Sequence, residues 1–102
     1  MDEDFFKAKP ITTSKGEPWM LLSDLVAPKK LNERKRAWRK FRECEKQWLE
    51  NGCFGWCAST PVKNLKMVKL FDRLGAKEYD IYNGRIYFKK ELLPEGGLKN
   101  GE

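Results

Sequence analysis

The chain has 102 residues, room for one domain and one core near the lower end of comfortable burial. Charged residues make up 35%, apolar residues 40% and aromatics 13%, which describes a globule with a wet surface and excludes a disordered tail. Its 21 Lys and Arg against 15 Asp and Glu leave a net charge of +6, which suits an acidic partner such as nucleic acid, a phosphorylated cofactor or an anionic surface, or else a soluble surface with surplus lysine.

Residues 1–15 read as an N-terminal arm or edge strand, 16–93 as the folded unit, and 94–102 as a flexible Gly-rich tail. Asp2, Glu3 and Asp4 precede no long apolar run, so neither a secretory leader nor a membrane span is expected. Phe5 and Phe6 are too apolar to leave in water, and Ile11-Thr12-Thr13 suits a short strand. Ser14-Lys15-Gly16-Glu17-Pro18 is a turn. Trp19 to Leu22 lacks alternation, the pattern of a strand buried on both faces. Its bare edge would invite association, so it is expected to be covered by the N-terminal segment, by a second copy of the chain or by a larger partner.

A long helix is expected from Glu33 to Asn51, with Asn32 as N-cap and Gly52 as its stop. Ala37, Trp38, Phe41, Cys44, Trp48 and Leu49 form its apolar stripe, which makes both tryptophans core residues. Arg34, Lys35, Arg36, Arg39, Lys40 and Arg42 crowd its first half, and its second half mixes Glu43, Glu45, Lys46 and Glu50. Cations at a helix N-terminus oppose the dipole by about a few tenths of a kcal/mol each, a sign that a phosphate would reverse. That face reads either as a solvated surface or as an anion-contacting one, with Lys35, Arg39, Lys40 and Arg42 the residues for nucleic acid.

Cys53 to Ala58 is a second buried strand, in which Gly55 marks a bulge or a close backbone approach. Cys44, Cys53 and Cys57 have no disulfide-framework spacing, and without histidine a zinc site would need all three thiolates and a carboxylate. Reduced core thiols and no metal are therefore expected. Met67, Val68, Leu70, Phe71 and Leu74 recur at helical spacing over 64–76, opposite Lys66, Lys69 and Arg73. Thr60-Pro61 offers the start signal and Gly75 the stop. Glu78 to Lys90 is a hairpin around Asn83-Gly84, with Tyr79 opposite Phe88 and Ile81 opposite Ile86.

The second helix carries a family resemblance. Asn64, Met67, Leu70-Phe71 and Leu74-Gly75-Ala76 stand at the spacing of the last helix of the GNAT (Gcn5-related) N-acetyltransferases, and the order β-α-β-α-β-β resembles the C-terminal half of that domain. A Trp-containing strand ending in Ser-Asp (Trp19 to Asp24), followed by a helix with Arg39-Lys40-Phe41-Arg42, resembles in particular the small GNAT-like internal virion proteins of short-tailed bacteriophages. The resemblance covers residues 16–92.

It implies an α/β fold, a truncated GNAT-like mixed sheet of four to five strands with two packed helices. It implies acetyl-CoA as cofactor, the pantetheine arm passing where the Trp19 and Cys53 strands splay apart. The family's Val-x-Pro is matched by Val26-Ala27-Pro28, but where its pyrophosphate-binding glycines fall the chain reads Leu31-Asn32-Glu33-Arg34-Lys35-Arg36. Side chains there crowd a phosphate and Glu33 repels it, while Asn32, Arg34 and Arg36 remain as donors. Asn64 matches an asparagine near the cofactor arm. The family's tyrosine acid is replaced by Phe71, leaving Tyr79, Tyr82 or Tyr87 as substitutes and Asp24 or Glu17 as base.

Without the glycines, the tyrosine and the N-terminal half that builds the acceptor wall, the leading expectation is a degenerate protein that acts by binding a virion component or a host macromolecule. Its place would be the virion interior or the cytoplasm of an infected cell. The alternatives are an acetyl-CoA-dependent N-acetyltransferase with a simplified site, and a small nucleic-acid-binding module using the basic helix.

Overall fold

The computed structural model describes residues 5–26 and 28–92; residues 1–4 of the N-terminal arm, Ala27, Leu93 and the tail 94–102 lie outside them. In chain order the elements are β1 (Lys7–Thr12), β2 (Pro18–Ser23), α1 (Leu31–Glu50), β3 (Gly55–Pro61), α2 (Leu65–Arg73), β4 (Lys77–Tyr82) and β5 (Arg85–Glu91). The strands form one mixed sheet in the order β1-β2-β3-β5-β4. Only β2 and β3 run parallel; the other neighbours are antiparallel. This is an α/β fold of five strands and two helices, as the patterning predicts. Among the described residues no helix is long and apolar enough to cross a membrane.

Both helices pack on one face of the sheet. Trp56, fully buried, meets Phe41 of α1 at 5.5 Å and Phe71 of α2 at 6.2 Å between ring centroids. Phe6 extends this aromatic row onto Phe41 at 5.3 Å, and Phe88 extends it from Phe71 at 5.0 Å. The Phe6–Phe41 and Phe41–Trp56 contacts are edge-to-face and the other two tilted; aromatic pairs of this kind are worth about 0.5–1.5 kcal/mol each beyond the area they bury. The two-sided burial expected for the Trp19 to Leu22 strand holds only in part, since Trp19 is buried on the open face, against Gly55. Leu22 faces the helices and is buried, whereas Leu21 points to the open face and is 37% exposed. A four-residue apolar run does not distinguish a strand covered twice from one at the centre of a one-sided layer.

Three local expectations change. The N-terminal strand begins at Lys7 rather than Ile11, because β1 pairs with β2 over its whole length, Lys7 opposite Ser23 through Thr12 opposite Pro18. Lys7, Lys9 and Pro10 make that outer edge a poor template for a further strand. Helix α1 starts two residues earlier than expected. Lys30 occupies the N-cap without a side-chain hydrogen bond, so Asn32 lies inside the first turn. Thr60 and Pro61 belong to β3, not to a helix start. β5 pairs with β3 from Gly55 to Pro61, and that ladder outweighs the local cap signal. The N-cap of α2 is Asn64, whose Oδ1 accepts from the amide of Met67 at 3.2 Å.

The hairpin turn has both central residues left-handed, Asn83 at φ 52° and Gly84 at φ 74°, the type I′ form its sequence specifies. Ile81 pairs with Ile86 as expected, but a bulge sets Glu78 opposite Phe88 and Asp80 opposite Tyr87. Tyr79 is the extra residue, and it joins Tyr87 on the open face at 6.4 Å instead of facing Phe88.

Candidate functional site

α1 and α2 lie side by side on the sheet without closing on each other. Between them runs a cleft of about 490 Å³. Its apolar wall includes Phe6, Leu25, Trp38 and Leu70, and its rim carries Lys29, Arg34, Lys66, Lys69 and Arg73. No Asp or Glu lines it among the described residues. Each helix contributes through its own periodicity: Arg34, Ala37, Trp38 and Phe41 follow at three- and four-residue steps on α1, as do Lys66, Lys69, Leu70 and Arg73 on α2. Trp38, expected in the core, instead stands on the lip, 39% exposed, with the Arg42 guanidinium 5.4 Å from its ring centroid.

A second pocket opens where β2 and β3 part. Their pairing ends at Leu21 opposite Cys57, and beyond it Leu22 to Leu25 and Ala58 to Thr60 diverge around about 180 Å³. Asp24, Asn64 and Phe71 line this gap. Asp24 holds a left-handed backbone at φ 53°, a conformation that a short polar side chain tolerates, and its carboxylate lies 3.5 Å from the Lys7 ammonium. Small-molecule sites span about 300–1,000 Å³. By that measure the interhelical cleft is large enough for a ligand, and the splay is too small except for the end of one.

The predicted cofactor residues divide between these places. Val26 and Arg34 line the cleft, although Arg34 Nε already donates to the Pro28 carbonyl at 2.8 Å. Asn64 lines the splay while its side chain caps α2. Asn32 and Arg36 are exposed on α1 and line neither pocket. Of the catalytic candidates, Asp24 is at the splay, whereas Tyr79 is on the opposite face of the sheet. The tyrosine cannot give a proton to a group held beside Asp24. Lys35, Arg39, Lys40 and Arg42 are all exposed, and Lys35, Arg39 and Arg42 recur at four- and three-residue steps in one stripe beside Trp38.

Sequence reasoning did not anticipate the joining of the α2 cations Lys66, Lys69 and Arg73 with Lys29 and Arg34. The signal was available as two basic helix faces, but only a shared sheet face brings them together. It also left Glu45 among the exposed charges of α1. Glu45 is in fact buried, 6% exposed. Its Oε2 accepts from Trp56 Nε1 at 2.8 Å and from Lys90 Nζ at 3.0 Å. This cluster is internal and supports the sheet under the cleft.

All three cysteines are free. Burial pushes the Cys57 thiol above its ordinary value. Burial does the same to Cys44, with Glu43 and Glu45 adding to the rise and Lys40 opposing it. Raised values keep both as thiols at neutral pH, so iodoacetamide should label the folded protein more slowly than the denatured chain, the rate climbing steadily into alkaline pH. The folded state holds these protons more tightly than the unfolded state. Their contribution to stability is therefore full below the ordinary thiol range and is lost as pH rises through it towards the raised folded values. Among the described residues no three His, Cys, Asp or Glu come together to hold a metal ion.

No protein-family model matches the chain, and no curated protein is significantly similar to it.

Proposed function

We propose that this chain is a GNAT-like half-domain that acts by binding, and that the cleft between α1 and α2 receives an acidic, amphipathic segment of a protein partner, either a virion component or a host protein. The observation that carries this reading is the pairing of an apolar floor with a wholly cationic rim at Lys29, Arg34, Lys66, Lys69 and Arg73. An amphipathic helix fits such a groove by its apolar face, and carboxylates along its flanks meet the rim. In keeping with binding rather than transfer, the only described carboxylate in the β2–β3 gap is Asp24, and no tyrosine lines it.

The second reading, an acetyl-CoA-dependent N-acetyltransferase, is favoured by one observation. The parallel strands part beside Asp24 and Asn64, where the family resemblance places the cofactor's arm.

One titration separates the two. A labelled helical peptide of leucine and glutamate, about twenty residues long to span the groove, should bind with an affinity that falls as salt rises. The double variant Lys69→Glu/Arg73→Glu should weaken it about tenfold or more, two rim charges being worth on the order of 1.4 kcal/mol together. Acetyl-CoA at millimolar concentration should scarcely move Tm, since a ligand present at its Kd adds only about 0.4 kcal/mol. A large saturable shift with acetyl-CoA, abolished by Arg34→Glu, would replace the binding reading with the catalytic one.

A further inference from the structure

The face of the sheet opposite the helices has no covering layer among the described residues. All three tyrosines of the chain lie in the β4–β5 hairpin. The bulge at Glu78/Asp80 turns Tyr79 onto this open face beside Tyr87, their rings 6.4 Å apart. Tyr82 follows on the same side next to Arg85, and Tyr79 and Tyr82 are 54% and 64% exposed. Cations alternate with these rings. Arg85, Tyr87 and Lys89 project together from β5, and Lys89 Nζ sits 5.6 Å from the Tyr79 ring centroid.

The charge arrangement here is costly without a ligand. Lys77 and Lys89 are direct cross-strand partners, and like charges placed opposite each other destabilise a sheet. Acidic groups are few on this side of the hairpin. Glu91 ends β5, and Asp80 spends one oxygen on the amide of Ile81 at 2.9 Å. An anion between the two lysines would turn their repulsion into attraction.

We infer that the open face of the β4–β5 hairpin is a binding surface for single-stranded nucleic acid, with bases stacking on Tyr79, Tyr87 and Tyr82 and phosphates meeting Lys77, Lys89 and Arg85. Exposed aromatics on a sheet with interleaved cations supply the two interactions that single strands offer and duplexes withhold, free base faces and a flexible backbone. Neither the interhelical cleft nor the basic stripe of α1 takes part.

The test is fluorescence anisotropy of the full chain with labelled oligothymidylate and oligouridylate of about fifteen nucleotides, within the usual site size, and with a duplex of the same length. Binding to the single strands should be tighter than to the duplex. Tyr79→Ala should weaken it about fivefold or more, and Tyr79→Phe should leave it nearly unchanged, because stacking needs the ring and not the hydroxyl. Lys89→Gln should reduce the salt slope by about 0.7 for one lost phosphate contact. Tyr79 is exposed, so its replacement should leave Tm nearly in place; if Tm fell, the Lys89→Gln slope would read the same surface without disturbing packing. The inference is overturned if neither single strand binds, if the duplex binds as tightly, or if Arg39→Glu abolishes binding that Tyr79→Ala leaves intact.

Discussion

Gly55→Ala is expected to destabilise the protein by about 3 kcal/mol or more, at the upper end of overpacking effects, and to lower Tm by about 15 °C or more. Position 55 needs no special backbone angle; what it lacks is space. A Cβ there would collide with the carbonyl oxygen of Lys90, stand 2.8 Å from the Trp19 ring, and lie 3.0 Å from the Cα of Glu91. A flexible side chain could move aside, but the backbone of β5 cannot yield without loosening its ladder to β3. Trp19 cannot tilt freely either, since it is itself buried at 8% exposure. Gly55 is where the sheet's second and fifth strands reach across the third. Thermal melts of Gly55→Ala beside Gly84→Ala would show the distinction. At Gly84 nothing lies within 4 Å, so the loss there should reflect only the left-handed backbone, about 1 kcal/mol.

Glu45→Ala is expected to cost about 3 kcal/mol, because it leaves a charge in the interior without its partner. The Lys90 side chain is 18% exposed and that of Glu45 8%, so lysine can reach towards water and soften the loss only in part. Trp56 Nε1 would also lose its acceptor. Glu45→Gln keeps an oxygen for the indole and should cost roughly half as much. The companion experiment is Glu45→Leu/Lys90→Leu. With both charges gone it should recover about 1–2 kcal/mol of the stability lost in Glu45→Ala, the unmet indole N–H, common to both variants, accounting for the rest. Urea midpoints of the four proteins give this comparison directly. If the double variant were as unstable as Glu45→Ala, the stabilisation would lie in packing around position 45 and not in the ion pair.

Much of the scaffold was legible because its signals are local. Asn83-Gly84 between two aromatic-rich runs could only be a tight hairpin turn, and Gly75 ended its helix at φ 95° as the pattern required. The registers across β3 were less so. Thr60-Pro61 looked like a helix start until a ladder with β5 claimed it. Glu45 shows the limit most clearly. Phe41, Glu45 and Trp48 are spaced for one buried stripe, so the wheel itself put a carboxylate in the core. Its partner stands 45 residues away on a strand, and no local pattern points to it. The candidate cleft was hidden for the same reason. Its cations come from two helices and a loop, each of which alone reads as an ordinary solvated face.

The Glu45–Lys90 pair also bears on which alignments of the sheet are available at all. The helix-facing row of β5 is Ile86, Phe88, Lys90, followed by Leu92. A slide of β5 by one residue along β3 would turn that row outward and is forbidden by hydrophobicity. A slide by two keeps the row facing the helices, but it carries Lys90 into the place of Phe88 or of Leu92. It would also set Leu92 or Phe88 against Glu45, so that the carboxylate is stranded in the interior and the ammonium loses its partner. The ion pair therefore weighs against both two-residue slides, and replacing both partners by leucine makes the row apolar throughout and removes that penalty. The Glu45→Leu/Lys90→Leu protein tests this through the amide resonances of β5, where a single set of peaks would argue against it. Stability restored in that variant would then come with a choice of registers that the natural sequence does not offer.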